Sequence, residues 1–278
     1  QGFYTSADST MVDYGYDYID YFGTTEYKWR VIAYNRWWDY YSNNENEIVA
    51  ESDDMRFFID LERPYADFSI IQNPLYPELY ELYMLTNEAV FIEGSKLYIN
   101  QIPRNLESFA DEDNPEHSTF FYYVAEFGEE GNYEYDLYIL DCLKNGGIAD
   151  YSISYLHALP GIFSNISSPT EIAQLIIPEY SLLEPSGIII SEKDIFYEDL
   201  SKISVSSGID ISSSNLNLQS PMKLRFFINN LSDFENNNLK IGKKNNFGDW
   251  EVLQSDISVD FIEAEISDSG LYTLFYIE

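Results

Sequence analysis

Few residues of this chain are of the types that make or break covalent bonds. It has two histidines, His117 and His157, and one cysteine, Cys142. Ser-His-Asp catalysis needs a serine beside a positioned imidazole. His117 instead follows Asp111-Glu112-Asp113-Asn114-Pro115-Glu116, an acidic loop, and no G-x-S-x-G occurs. Both histidines read as incidental surface or joint residues. A single cysteine excludes an internal disulfide, a Cys-based zinc site and a C-x-x-C-H haem attachment. Two carboxylates roughly 5–10 Å apart across a cleft could hydrolyse a glycoside. Among 48 Asp and Glu, however, the sequence singles out no pair. The chain therefore reads as not an enzyme.

Binding chemistry is better represented. Calcium takes several carboxylate and carbonyl oxygens from a tight loop. Asp111, Asp113 and Glu116, with Glu112 and Asn114 between them, offer such oxygens, as does Asp53-Asp54 after Glu51. Neither follows the D-x-D-x-D-G loop, so a calcium site and a solvated acidic loop both fit. No other cofactor is indicated. Trp37, Trp38, Tyr40 and Tyr41 form a run with Asn35 and Arg36. As a strand, that run is aromatic on both faces, and one face must be covered or must bind something. Stacking on a polysaccharide fits, and so does packing on a neighbouring subunit or the N-terminal segment. In residues 13–22, Tyr14, Tyr16 and Tyr18 fall on one face of a strand, opposite Asp13, Gly15 and Asp17. Such an arm can add to the sheet edge of another chain; it also fits an ordinary first strand.

The elements that would position these groups are strands. The dominant period is two, as in residues 27–34, 55–61, 66–72, 80–85, 89–93, 96–101, 119–126, 133–142 and 149–156. Turn chemistry separates them, including Asn73-Pro74, Glu93-Gly94-Ser95 and Asn145-Gly146-Gly147. Around 157–170 the composition shifts to Pro, Gly and Ser, which predicts an exposed joint. A second strand series covers 172–178, 187–191, 202–206, 222–228, 238–242, 250–254, 257–265 and 271–277, with polar joints at 211–218 and 229–238. No long helical period appears; a turn or two of helix fits only near 105–114 or 193–200. Short strands with turns every 8–12 residues or so are the signature of a β-sandwich. We expect an all-β protein: an N-terminal extension or arm at 1–24, a first antiparallel sandwich at 25–156 and a second at 157–278. Trp250, at the start of a late strand, should be buried against 271–277.

Composition narrows the partners. The formal net charge is −33, from 15 Lys and Arg against 48 Asp and Glu, and 17% of residues are aromatic. Hydrophobic residues make up 45% of the chain, enough to bury a core, which excludes a disordered protein. So acidic a chain is unsuited to nucleic-acid phosphates, which need clustered Lys and Arg. No apolar run of about 18 residues is present, so no transmembrane helix is expected. Residues 1–10 contain neither a basic start nor an apolar run, and the chain begins with Gln. A leader cleaved before Gln1 and an excised fragment both fit; the former is our expectation. An acidic, Cys-poor chain suits an extracellular or salt-rich setting, where screening limits self-repulsion. Asn165-Ile-Ser167 and Asn230-Leu-Ser232 match the glycosylation sequon.

Two regions resemble known modules. Phe68-Ser69-Ile70-Ile71-Gln72-Asn73-Pro74, with Tyr80-Glu81-Leu82-Tyr83 and Thr86-Asn87-Glu88-Ala89, resembles an Ig-like sandwich. Such modules occur near the C-termini of large secreted bacterial surface proteins, some following subtilisin-like peptidases. Ala173-Gln174-Leu175-Ile176-Ile177-Pro178 with Leu182, Ser220 to Phe226, Trp250 to Leu253 and Ser269 to Phe275 resemble a ZU5-like module. The resemblance implies tandem non-catalytic modules with a spacer, surface or assembly role, and it transfers no active-site residues. Residues and resemblance together lead us to expect a secreted cell-surface or extracellular structural protein. It would contact other copies of itself, as in a filament, or other surface proteins. Carbohydrate-binding accessory module and non-catalytic C-terminal region of a secreted peptidase remain the alternatives.

Overall fold

The computed structural model describes residues 63–110, 115–141, 145–195, 197, 202–228 and 238–277 in full, and the backbone of the short strands at 4–6, 9–11, 25–29, 32–35, 47–51, 55–59 and 198–199. The chain divides into two compact units. Gln1–Arg63 with Leu143–Asn145 form one, and Pro64–Cys142 with Gly146–Glu278 the other. In the first unit, β1 (Tyr4–Ser6) pairs with β2 (Ser9–Met11), β3 (Thr25–Trp29) with β6 (Met55–Ile59), and β4 (Ile32–Asn35) with β5 (Glu47–Glu51), all antiparallel.

The second unit is a succession of antiparallel strands, with no helix among the described residues. Its first series is β7 (Ala66–Gln72), β8 (Leu79–Phe91), β9 (Lys96–Ile99), β10 (Ile102–Arg104), β11 (Glu107–Ser108), β12 (His117–Glu126), β13 (Gly131–Leu140) and β14 (Gly146–Ala158). There follow β15 (Ser164–Ser167), β16 (Ala173–Ile177), β17 (Ser186–Lys193), β18 (Glu198–Asp199), β19 (Lys202–Ser204) and β20 (Gly208–Ser213). The last are β21 (Met222–Phe227), β22 (Leu239–Lys244), β23 (Trp250–Val252), β24 (Ser255–Ile257), β25 (Phe261–Ile266) and β26 (Gly270–Ile277). Local chemistry sets the turns. Asn100 and Gln101 take φ of 49° and 65° between β9 and β10, the paired left-handed residues of a tight hairpin. The Asn73 side chain accepts hydrogen bonds from the amides of Leu75 and Tyr76, closing the turn before β8.

Three sheets result. A large one of 11 strands runs β10-β9-β13-β14-β17-β20-β26, with β19 beside β20 along one edge of β26 and β22 along the other. A four-stranded sheet, β11-β12-β8-β7, and a five-stranded one, β15-β16-β21-β25-β24, cover it. They cover opposite faces. Successive residues of a strand point to opposite sides, and Ile189 of β17 packs in a core with Leu82, Met84, Phe121 and Leu137. Its neighbours Ile188 and Ile190 pack with Leu175, Leu224, Ile211 and Leu274. β17 is therefore buried on both faces, which is why Ser186 to Ser191 is buried without alternation.

The two cores divide inside β14. Ile153 and Tyr155 belong to the first, Leu156 and Ala158 to the second. The sequence places a joint at 157–170; in the structure β14 runs through Ala158, the exposed stretch is 159–163, and β15 follows directly. Trp250 is buried where expected, its ring 5.2 Å from that of Phe275 and edge-on to it.

Candidate functional site

The four-stranded sheet turns Tyr80, Leu82 and Met84 of β8 and Phe121 of β12 into the first core. Its other side bears the alternate residues, and the register brings them into rows. Ile71, Glu81 and Val124 lie abreast, then Ser69, Tyr83, Tyr122 and Glu107, then Asp67, Leu85 and Phe120. Phe109 closes the last row, because its amide donates to the Phe120 carbonyl.

This outward side is apolar at its centre. Ile71 is 56% exposed, Leu85 54%, Phe109 64% and Val124 57%, whereas large apolar residues on a covered sheet face fall near zero. The rings of Tyr83, Phe120 and Tyr122 are half-buried among them. They pack on one another: Phe109 stacks 5.5 Å from Tyr122 and lies 5.6 Å from Phe120, which lies 5.7 Å from Tyr83. Such ring pairs hold each other in place and preorganise the surface.

Carboxylates frame it. The Tyr83 hydroxyl donates to Glu81 and the Tyr122 hydroxyl to Glu107. These hydrogen bonds to a carboxylate hold both phenols above their usual range, so they stay protonated donors. Asp67 on β7 and Glu126 on β12 are exposed on the same side. None of the four strands carries a Lys or an Arg. The arrangement can bind by apolar contact, by ring stacking and by attraction of cationic groups.

The other side-chain groups singled out by sequence fall as follows. Tyr14, Tyr16, Tyr18, Trp37, Trp38, Tyr40, Tyr41, Asp111 and Asp113 lie outside the described residues. Glu116 is exposed at the turn into β12, and among the described residues no three metal-ligating side chains gather. His117 is not the surface loop residue expected. It begins β12, is buried, and lies 4.3 Å from the Phe91 ring. His157 is half-buried within β14. A crevice of about 290 Å³ opens where β13, β14 and β15 converge, lined by Glu130, Asn132, Ser154, Asn165 and Glu171. Its lining is mixed, with Leu156 and Ile166 beside the polar groups, and the Ser154 hydroxyl already donates to Asn132. Among the described residues, no helix is long and apolar enough to cross a membrane.

Aromatic residues alternating along a strand are also the pattern of core and cross-strand packing. The alternation of Tyr80-Glu81-Leu82-Tyr83 separates two faces but does not say which is covered. The signal available was the count of apolar residues on the second face, with Tyr83 and Leu85 on β8 and Phe120, Tyr122 and Val124 on β12. No protein-family model matches the chain, and no curated protein matches it either.

Proposed function

We propose that the chain is a non-catalytic docking and assembly module of an extracellular or cell-surface protein. In this reading its two cores are two sandwich modules, Ig-like and ZU5-like, built on one shared sheet. The observation that carries the proposal is the outward side of the four-stranded sheet: an apolar centre of ordered rings over which no other described strand packs. Exposed apolar patches of this kind mark sites of interaction. The alternating tyrosines Tyr14, Tyr16 and Tyr18 would supply a second contact, by strand addition to another chain.

A carbohydrate-binding reading has one feature in its favour. The rings stand beside carboxylates that could accept hydrogen bonds from sugar hydroxyls. The aliphatic groups Ile71, Leu85 and Val124 occupy much of the same side and favour a protein contact instead.

The test is carbene footprinting of the chain in its native assembly and as purified protein. The reading expects Phe109 and Tyr122 to be labelled in the purified chain and protected in the assembly. Equal labelling in both states, or protection confined to β21 and β25, would overturn it.

A further inference from the structure

We infer that the occupant of this sheet face is a cationic segment of a partner protein, in which Lys or Arg residues accompany apolar ones. The inference rests on the docking reading above and names the partner's chemistry. Its basis is the distribution of charge. The apolar centre has one carboxylate on each strand around it: Asp67 on β7, Glu81 on β8, Glu107 on β11 and Glu126 on β12. Across residues 64–142 the only Lys and Arg are Lys96 and Arg104, and neither lies on this sheet. The face therefore combines hydrophobic area with a negative field that nothing on its own strands neutralises.

Each candidate occupant answers that field differently. A second copy of this chain would bring its own −33 against it, and like-charge juxtaposition is costly across an interface. A neutral sugar would stack on the rings and hydrogen-bond the carboxylates but would leave their negative charge uncompensated. A Lys or Arg side chain satisfies both components. Its aliphatic stem lies along Leu85 or Val124, and its charged head reaches a ring edge or a rim carboxylate. Tyr83 and Tyr122 sit side by side in register, each with its hydroxyl on a carboxylate. Ring and anion thus adjoin twice at the centre of the face, where an ammonium or guanidinium group is best held.

The experiment is fluorescence anisotropy of labelled, blocked heptapeptides against the full chain, at about 150 mM NaCl, where the Debye length is about 8 Å. An alternating Lys/Leu peptide should bind. Its Glu/Leu and Lys/Ser counterparts should bind at least about tenfold more weakly, because each lacks one component. Glu81→Gln with Glu107→Gln keeps the tyrosine hydrogen bonds and removes the charge; it should weaken the Lys/Leu peptide roughly five- to tenfold. Phe109→Ser with Val124→Ser should weaken it about tenfold or more. Asp256→Asn with Glu265→Gln removes two charges from the outer side of the five-stranded sheet and should change binding less than about twofold. If that control loses as much as Glu81→Gln with Glu107→Gln, bulk acidity attracts the peptide and the inference fails. It fails equally if the Glu/Leu peptide binds as well, or if cellohexaose binds and Phe109→Ser abolishes it. Protection of the face in native material, with no loss of the Lys/Leu peptide in either face variant, would remove the cationic occupant and leave the docking reading standing.

Discussion

The two covering sheets rest on one central sheet and are alike inside, yet they differ outside. The four-stranded sheet presents Tyr83, Leu85, Phe120, Tyr122 and Val124 with carboxylates and no cation. The five-stranded sheet presents a ladder in which cations face carboxylates. Gln174 stands opposite Arg225, and Arg225 opposite Glu263. Glu263 accepts from Lys223 at 2.7 Å and from Arg225, whose guanidinium lies 4.4 Å over the Phe261 ring. Both cations on that sheet, Lys223 and Arg225, have their partner within the sheet, and the Arg225 side chain covers the Phe261 ring. A surface built to face water neutralises itself in this way. The four-stranded sheet does not, and the proposed docking role rests on that asymmetry within one molecule.

The largest expected effects lie on the inner faces, where the two sheets should behave alike. Leu82→Ala and Leu224→Ala, both fully buried, should each cost about 2–5 kcal/mol in urea unfolding. A marked inequality would mean that one sheet is packed less tightly than the other. Next comes Gly187 on β17. A Cβ there would lie 2.7 Å from the Pro77 carbonyl oxygen, so this glycine lets the turn before β8 close on the central sheet. Gly187→Ala should cost about 1–3 kcal/mol. An unchanged midpoint would show that the approach relaxes freely.

Smaller effects probe the outer faces. Burial alone would raise the Glu263 carboxyl, but hydrogen bonds from Lys223 and Arg225 outweigh it and hold the group below the usual carboxylate range. A depressed folded value stabilises the fold above the unfolded value of about 4.3 and loses that contribution as pH falls through the folded value. Glu263→Gln should therefore cost about 0.2–1 kcal/mol near neutrality, and the gap to the parent should narrow in acid. A gap that is constant with pH would detach the ladder from stability. Similarly small, Phe109→Ser with Val124→Ser should cost about 1 kcal/mol, the worth of the Phe109 ring contacts with Tyr122 and Phe120, since both side chains are otherwise exposed. A larger loss would make the apolar face structural rather than a docking side.

Much of the architecture was legible where alternation was strong. Residues 66–72 form β7 as expected, residue for residue, and Trp250 packs on Phe275. β20 was missed because its sequence, Gly-Ile-Asp-Ile-Ser-Ser, offers only Ile209 and Ile211 to the core. Serines that look like a joint can serve as strand residues when β17 and β26 pair on either side. The expected break between 80–85 and 89–93 was misjudged for a related reason. Thr86 is buried with its hydroxyl on the Glu88 carbonyl, so β8 passes through a polar stretch with a bulge opposite. Residues 25–62 were grouped with the first sandwich by their strand period, which reports local structure and not the sheet a strand joins. In the structure, residues 1–63 form a separate unit. The candidate site was hidden for a different reason: its rings have the same period as core rings, and only the layering of the described sheets shows that they lie on the side turned away from the core.

The placement of β26 also sets an order of events. It pairs with β20 and β19 along one edge and with β22 along the other, and all three precede it in the chain. During synthesis those strands must wait with open edges until residues 270–277 emerge, and closing contacts across such sequence separations is slow. Waiting edges invite pairing with other chains. Lys240, Lys243 and Lys244 lie on β22 and Asp210 on β20. Charged groups on these waiting strands would keep the half-made sheet from pairing with another chain before its own last strand arrives.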